Sequence, residues 1–304
     1  MSRRWMIIWL VGILVSSCET YKTFYGEVGQ DTANAEVRRI DLSGQDLQTV
    51  PDFSKIKELR MLDLSGNTAL DIAMTLQAIP KPEQLRILRL DSLNLERLPD
   101  LNRFKNLKQL SLIHNPDLPW ASVFEKLSHL NLEFLNLKHN DIRTLPESIT
   151  RLTTIKDLNL SHNHLVDAES YTYLSQLPLL FNLWLDHNKL KTLPKTISLL
   201  DQVAYLYIND NQLTSLPEEF KEMKGMWVLH MGHNNFIELP EVLTKMKRLF
   251  LLHANNNRIA SLPETYFTEN LSIMAMILDK NQFPEEERAR IKKHFNNFFL
   301  LSLD

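Results

Sequence analysis

The chain has 304 residues, a formal charge of -3 and 23% charged residues, so its charge gives no electrostatic reason to expect a nucleic-acid partner. Its single cysteine, Cys18, excludes a disulfide or a cysteine-rich metal site within one molecule. The seven glycines form neither a Gly-x-Ser-x-Gly elbow nor a phosphate-cradling loop, which removes the usual sequence grounds for a hydrolase or a nucleotide enzyme.

The chain opens with "MSRRWMIIWLVGILVSSC", in which Arg3 and Arg4 precede an apolar run from Trp5 to Val15 and small residues before Cys18. This is the layout of a secretory signal and is short for a spanning helix. "VSSC" resembles a bacterial lipobox, whose cysteine receives lipid and becomes the mature N-terminus. The resemblance implies a signal peptide over 1–17, then a lipidated Cys18 and a tether over 18–36. It also implies a membrane-anchored lipoprotein of the bacterial cell envelope, on the outer membrane. Loss of Arg3 and Arg4 moves the formal charge from -3 to -5. Attachment to the membrane therefore falls to the acyl chains rather than to anionic head groups. An uncleaved N-terminal anchor is the alternative, and it too places the rest of the chain outside the cytoplasm.

From Val37 onward the frame L-x-x-L-x-L-x-x-N-x-L-x-x-L-P recurs eleven times, starting at Val37, Leu59, Leu85, Leu107, Leu132, Ile155, Leu180, Val203, Met226, Leu249 and Ile273. Alternating apolar positions predict a short strand in each unit, and the changed rhythm after the asparagine predicts a turn and coil. One such coil cannot bury its own leucines and must stack on its neighbours. The pattern resembles the leucine-rich-repeat family. The resemblance implies an α/β solenoid curved into a horseshoe, with a parallel sheet on the concave face and short helices, 3-10 turns and loops on the convex face. One elongated domain of about eleven repeats is expected over 37–283.

Asn67, Asn115, Asn140, Asn163, Asn188, Asn211, Asn234, Asn257 and Asn281 recur at the strand exits, where buried amides are expected to satisfy backbone groups. Gln45 and Leu93 break the pattern, so the least regular turns are expected there. The repeats from Leu59, Leu107 and Ile155 carry "DIAMTLQAIP", "PWASVFEKLSHL" and "AESYTYLSQLP" in place of the Leu-Pro step, and their spacing predicts helical turns. Over 284–304, "PEEERARIKKHFNNFF" predicts a capping helix. Its acids come first and its bases last, and Ile291, Phe295, Phe298 and Phe299 share one face over the final strand edge.

The residue between the two strand leucines runs Asp41, Asp63, Arg89, Ser111, Asn136, Asn159, Trp184, Tyr207, His230, His253, Ile277. The column turns aromatic at Trp184. Tyr205 lies beside it, with Phe181, Trp227 and Phe250 at the neighbouring edge, and Gly232 is expected to leave a depression. Trp184, Tyr205, Tyr207, Trp227, His230 and His253 are therefore the candidate ligand-binding residues, because Trp and Tyr on an open face are frequent binding anchors. Rings that merely stiffen the sheet are the competing explanation. A second column, His114, His139, His162, His187, Asp210, His233, Asn256, does not converge as a metal site would, and hydrogen bonding at the strand exit is expected of it.

The function expected is a non-enzymatic binding module that holds a protein or peptide on its concave face. Glycan binding beside Asp186, Asn209 and Asp210 is the runner-up. No catalytic residue, cofactor or metal is expected. Cys18→Ala is expected to abolish acylation and to leave the precursor unprocessed, as read by labelling with a fatty-acid analogue; equal label on both proteins removes the anchor.

Overall fold

The computed structural model describes Val28, Gly29 and residues 36–304. Cys18 and the signal and most of the tether lie outside the described residues. Two compact units are present: one reaches to Leu93 and takes in Pro99–Ser111, and the other comprises Asn94–Leu98 and Leu112–Asp304. The unbroken repeat frame predicts a single domain; because each coil touches chiefly its neighbours, a continuous frame does not by itself bind distant coils into one unit.

In the first unit, β1 (Val28–Gly29), β2 (Arg39–Asp41), β3 (Met61–Asp63), β4 (Ile87–Arg89) and β5 (Gln109–Ser111) pair in chain order, all parallel. β1 falls in the stretch read as a tether, so part of that stretch is ordered against the first repeat. In the second unit, β6 (Phe134–Asn136), β7 (Asp157–Asn159), β8 (Asn182–Trp184), β9 (Tyr205–Tyr207), β10 (Val228–His230), β11 (Leu251–His253), β12 (Ala275–Ile277) and β13 (Leu300–Ser302) do the same. The central strand residues Leu135, Leu158, Leu183, Leu206, Leu229 and Leu252 are all at 0% exposure and form the spine of that core.

The segments opposite the strands follow the sequence. Each of Pro146, Pro194, Pro217 and Pro240 immediately precedes a 3-10 turn, respectively Glu147–Arg151, Lys195–Leu199, Glu218–Glu222 and Glu241–Lys245. Proline's fixed φ suits a helix start, where its missing N–H is no loss. The three long repeats carry α1 (Ile72–Gln77), α2 (Trp120–Leu127) and α3 (Ala168–Leu174). Asp71 and Asp167 cap α1 and α3 by accepting from Met74 N and Ser170 N. A further short helix, α4 (Thr265–Thr268), precedes β12.

The asparagines bind coil to coil. Asn163 Nδ2 donates to the carbonyls of Leu137 and Leu160 at 2.9 and 3.0 Å, while its Oδ1 accepts from Asn140 N and Ile142 N at 3.0 and 2.9 Å. Asn188 and Asn211 repeat this between the following coils. The residue before each asparagine is left-handed, from Gly66 at φ 76° through His114, His139, His162, His187, Asp210, His233 and Asn256 to Lys280 at φ 56°. Gly44 and Ser92, before Gln45 and Leu93, take the same conformation. Leu47 N and Leu95 N still reach an asparagine Oδ1, on Asn67 and Asn115. Those turns are thus not set apart in backbone, contrary to the sequence expectation, because the neighbouring coil supplies the amide.

The C-terminal segment also differs from expectation. α5 (Glu285–His294) has Glu285, Glu286 and Glu287 in its first turn and Lys292, Lys293 and His294 in its last, and it buries Ile291. It stops before Phe298 and Phe299, since Asn296 and Asn297 favour a turn over a helix. Phe295 is buried but Phe299 is 54% exposed, and the edge of β12 is covered by β13 rather than by the helix.

Tyr171 in α3 and Tyr266 in α4 are both fully buried, yet they are not equivalent. The Tyr266 hydroxyl donates to Pro240 O at 2.8 Å, whereas that of Tyr171 finds no partner among the described residues. Tyr171→Phe is expected to stabilise the protein by about 1 kcal/mol or more, because it removes an unpaired buried polar group, and Tyr266→Phe to cost about 1 kcal/mol. Urea unfolding of both variants checks the opposite signs.

Candidate functional site

The candidate residues stand on the second unit's sheet, on the side opposite its leucine spine. Parallel register sets Trp184, Tyr207, His230 and His253 side by side on β8 to β11. Trp184 and Tyr207 stack with centroids 5.1 Å apart and planes at 12°, and Tyr207 and His230 stack at 4.5 Å and 9°. His253 meets His230 at 65°, with their Nδ1 atoms 3.1 Å apart. Tyr207 thus has a ring on each side, and Trp184 on one side only.

Tyr205 and Trp227 belong to a second row rather than to the first. Phe181, Tyr205, Trp227, Phe250 and Phe299 follow one another at centroid distances of 5.3, 5.6, 5.9 and 6.4 Å. The six candidates are therefore brought together as two parallel rows, which Phe181 and Phe299 extend at either end. Phe299 was legible as an aromatic but was assigned to a helix face. Near these rows, the outward strand residues Val228 and Ala275 are only 7% and 0% exposed, so the rows bury apolar surface as well as display it.

A polar band runs along the strand exits. Asp186 Oδ1 accepts from Asn209 N and Nδ2 at 2.7 and 2.9 Å, and Asn209 Oδ1 accepts from Gly232 N at 2.8 Å. Gly232 does not leave the expected depression beside it, because a Cβ there would lie 2.3 Å from Asn255 Oδ1. The open depression, about 490 Å³, is instead lined along the first row by residues such as Asn159, Trp184, Asp186, Tyr207, Asp210 and His253.

The histidine column has a different role from the one expected. His162 stacks on His187 at 20° and His139 lies tilted on His162 at 31°, both with centroids 4.0 Å apart and on backbones at φ 54° to 59°. Beyond them, Asp210 lies 3.4 Å from His187 Nε2 and 3.7 Å from His233 Nδ1. Stacked rings cannot point their nitrogens at one ion, and among the described residues no group of three or more metal-ligating side chains converges.

Burial governs the protonation of this face. It pulls His162 and His230 down to about 4, helped by the neighbouring imidazoles, and lowers His139 and His253 too. It raises the Asp186 carboxyl and the Tyr205 and Tyr207 phenols. The rows are therefore uncharged near neutral pH.

A stack of parallel one-strand coils, tied by buried amides and bearing rings on its open face, defines a stacked-repeat scaffold. The Leucine Rich Repeat family model matches residues 131–152. The repeat pattern and the fold are those of leucine-rich-repeat proteins. It is 42% identical over 82 residues to the leucine-rich repeat and calponin homology domain-containing protein 1 of Mus musculus, a match over 27% of this chain and 11% of that relative's length. Among solved structures, a leucine-rich-repeat protein of Leptospira interrogans aligns over 90% of this chain and 99% of its own, at 22% identity and a TM-score of 0.51. A chain of the Drosophila Toll–Spatzle complex aligns over 93% of this chain and 42% of its own, at 19% identity and a TM-score of 0.69. Leucine-rich repeats generally act as non-enzymatic scaffolds for protein–protein interaction.

The lowered imidazoles give a pH dependence of fixed sign. Between about 4 and 6.5 the folded chain holds fewer protons than the unfolded one, so this stability is complete above 6.5 and is lost as pH falls toward 4. Asp186, whose carboxyl is raised, works in the opposite direction. The melting temperature is expected to fall between pH 7 and pH 4.5, and to fall less in His162→Gln and His230→Gln, as calorimetry would show.

Proposed function

We propose that the protein binds a protein or peptide partner on the open face of its second unit and catalyses no reaction. We further propose that it is held at the bacterial envelope by lipid on Cys18. One observation carries the binding reading: two aromatic rows lie side by side with polar edges that the fold leaves unused. Among the described residues, no hydrogen bond engages the indole N–H of Trp184 or Trp227 or the hydroxyl of Tyr205 or Tyr207. Trp and Tyr anchors of this kind offer apolar area together with a donor, as protein interfaces favour. The Toll–Spatzle complex is a fold relative solved as an assembly, which agrees with such a use.

Glycan binding gains less support. Sugar rings are gripped by open aromatic faces, and in the first row those of Tyr207 are both taken, by Trp184 and His230.

A photo-crosslinking residue at Tyr205 is expected to capture a partner that the same residue at Leu199, 47% exposed on a 3-10 turn, does not. With that partner purified, Trp184→Ala is expected to cost about 2 kcal/mol of affinity, roughly thirtyfold. Asp41→Ala, on the first unit, is expected to leave affinity unchanged. Asp63 is no fit control, being 5% exposed and 3.4 Å from Arg89. Melting temperatures of each variant separate lost binding from lost folding. Crosslinks of equal strength at both positions move the interface off this face.

A further inference from the structure

The first aromatic row ends abruptly, and its end is unlike its middle. Tyr207 has a ring on each side, whereas Trp184 has Tyr207 on one side only. The register partner of Trp184 on β7 is Asn159, a small amide, and among the described residues no ring or cation covers the other indole face. Trp184 and Asn159 both line the depression.

Asp186, in the turn just past the end of β8, lines the same depression as Trp184. Its Oδ1 takes both hydrogen bonds from Asn209, and its Oδ2 takes none among the described residues. Asp210 lines the same depression and has only His187 and His233 within ion-pair distance, at 3.4 and 3.7 Å. Neither carboxylate meets a lysine or arginine. Lys138, the one such base that lines the depression, stands just past β6, two strands away. Two carboxylates lining one depression, with no lysine or arginine against either, are an arrangement that an incoming positive charge relieves.

The geometry points to a niche for an arginine side chain of the partner, its guanidinium lying on the free indole face of Trp184 and donating to Asp186 Oδ2 and the Asp210 carboxylate. This rests on reading the open face as a protein-binding surface, and it names the chemistry that surface selects. Guanidinium suits the niche better than ammonium, because it is planar, stacks on indole and carries donors in a fork that matches carboxylates. The ring edges of Tyr207 and His230 then continue the contact along the partner's main chain. Charge complementarity also sets the class of segment: along the first row from Trp184 to His253 the depression offers two acids and no lysine or arginine, so a basic stretch fits and an acidic one is repelled.

The test uses the full chain and two small probes, N-acetyl-arginine methylamide and its neutral isostere N-acetyl-citrulline methylamide. The chain has five tryptophans, and the Trp184 indole N–H signal is identified by its loss in Trp184→Leu. The arginine probe is expected to shift that signal saturably while leaving Trp227 in place, and to bind at least about tenfold more tightly than the citrulline probe. Asp186→Asn keeps an acceptor for Asn209, so the fold is retained. It is expected to remove most of the arginine response with an unchanged melting temperature. Equal response to both probes, an undiminished response in Asp186→Asn, or no shift at all overturns the niche. A crosslinked partner whose affinity ignores Asp186→Asn overturns it as well, while leaving protein binding on this face intact. An arginine response with no partner captured at Tyr205 does the reverse.

Discussion

The buried asparagine at the strand exit is the interaction on which the rest depends. A coil of about two dozen residues with a three-residue strand leaves many backbone groups at its corner unpaired, and each costs about 1–3 kcal/mol when buried. One amide meets that demand in two coils at once, donating to strand-end carbonyls and accepting from turn N–H groups, as Asn163 does between Leu137, Leu160, Asn140 and Ile142. The corner is therefore the same wherever the amide stands, including its left-handed step. Histidine, aspartate and asparagine dominate that step, and asparagine and aspartate are among the residues that tolerate it best.

Uniform corners hold successive strands at one spacing, and the open face inherits it. Rings placed at the same point of neighbouring strands have no choice but to meet at about 4.8 Å, close to the thickness of an aromatic stack. Trp184, Tyr207 and His230 lie nearly parallel for that reason, and His162 and His187 do so one corner further on. Stacking excludes water from the ring faces, which is why the imidazoles resist protonation and why Val228 is covered although it points away from the core. The proposed binding surface and the structural support are thus one set of atoms.

Much of this was legible in the sequence, for a reason that also marks where legibility ended. The leucine and asparagine spacing encodes strand, corner and stack, because those depend on which residues recur and at what interval. The helices at Ile72–Gln77, Trp120–Leu127 and Ala168–Leu174 and the turns after Leu-Pro steps followed equally well. The aromatic column was visible for the same reason. Which way its rings turn depends on side-chain torsions and on lateral neighbours that no period along one strand records, so the partition of Tyr205 and Trp227 into a separate row was not visible. Asn255 closing over Gly232 depends likewise on the adjacent coil. The last segment misled for a local reason: phenylalanines at helical spacing continue past a helix that Asn296 and Asn297 end, and the chain spends Leu300–Ser302 on a strand instead.

The row of stacked rings behaves as a ladder from which a rung can be drawn. Its steps are set by the backbone and not by the rings, so a missing ring does not let its neighbours close up. Taking Tyr207 from the row would leave the indole of Trp184 and the imidazole of His230 facing each other across roughly twice the strand spacing, about 10 Å, a slot as wide as one flat group and its contacts. Asn159 is such a gap at the end of the ladder, made by the sequence itself. A surface built this way can acquire a new planar ligand by losing a side chain rather than by gaining one, and can do so at any rung without moving the frame.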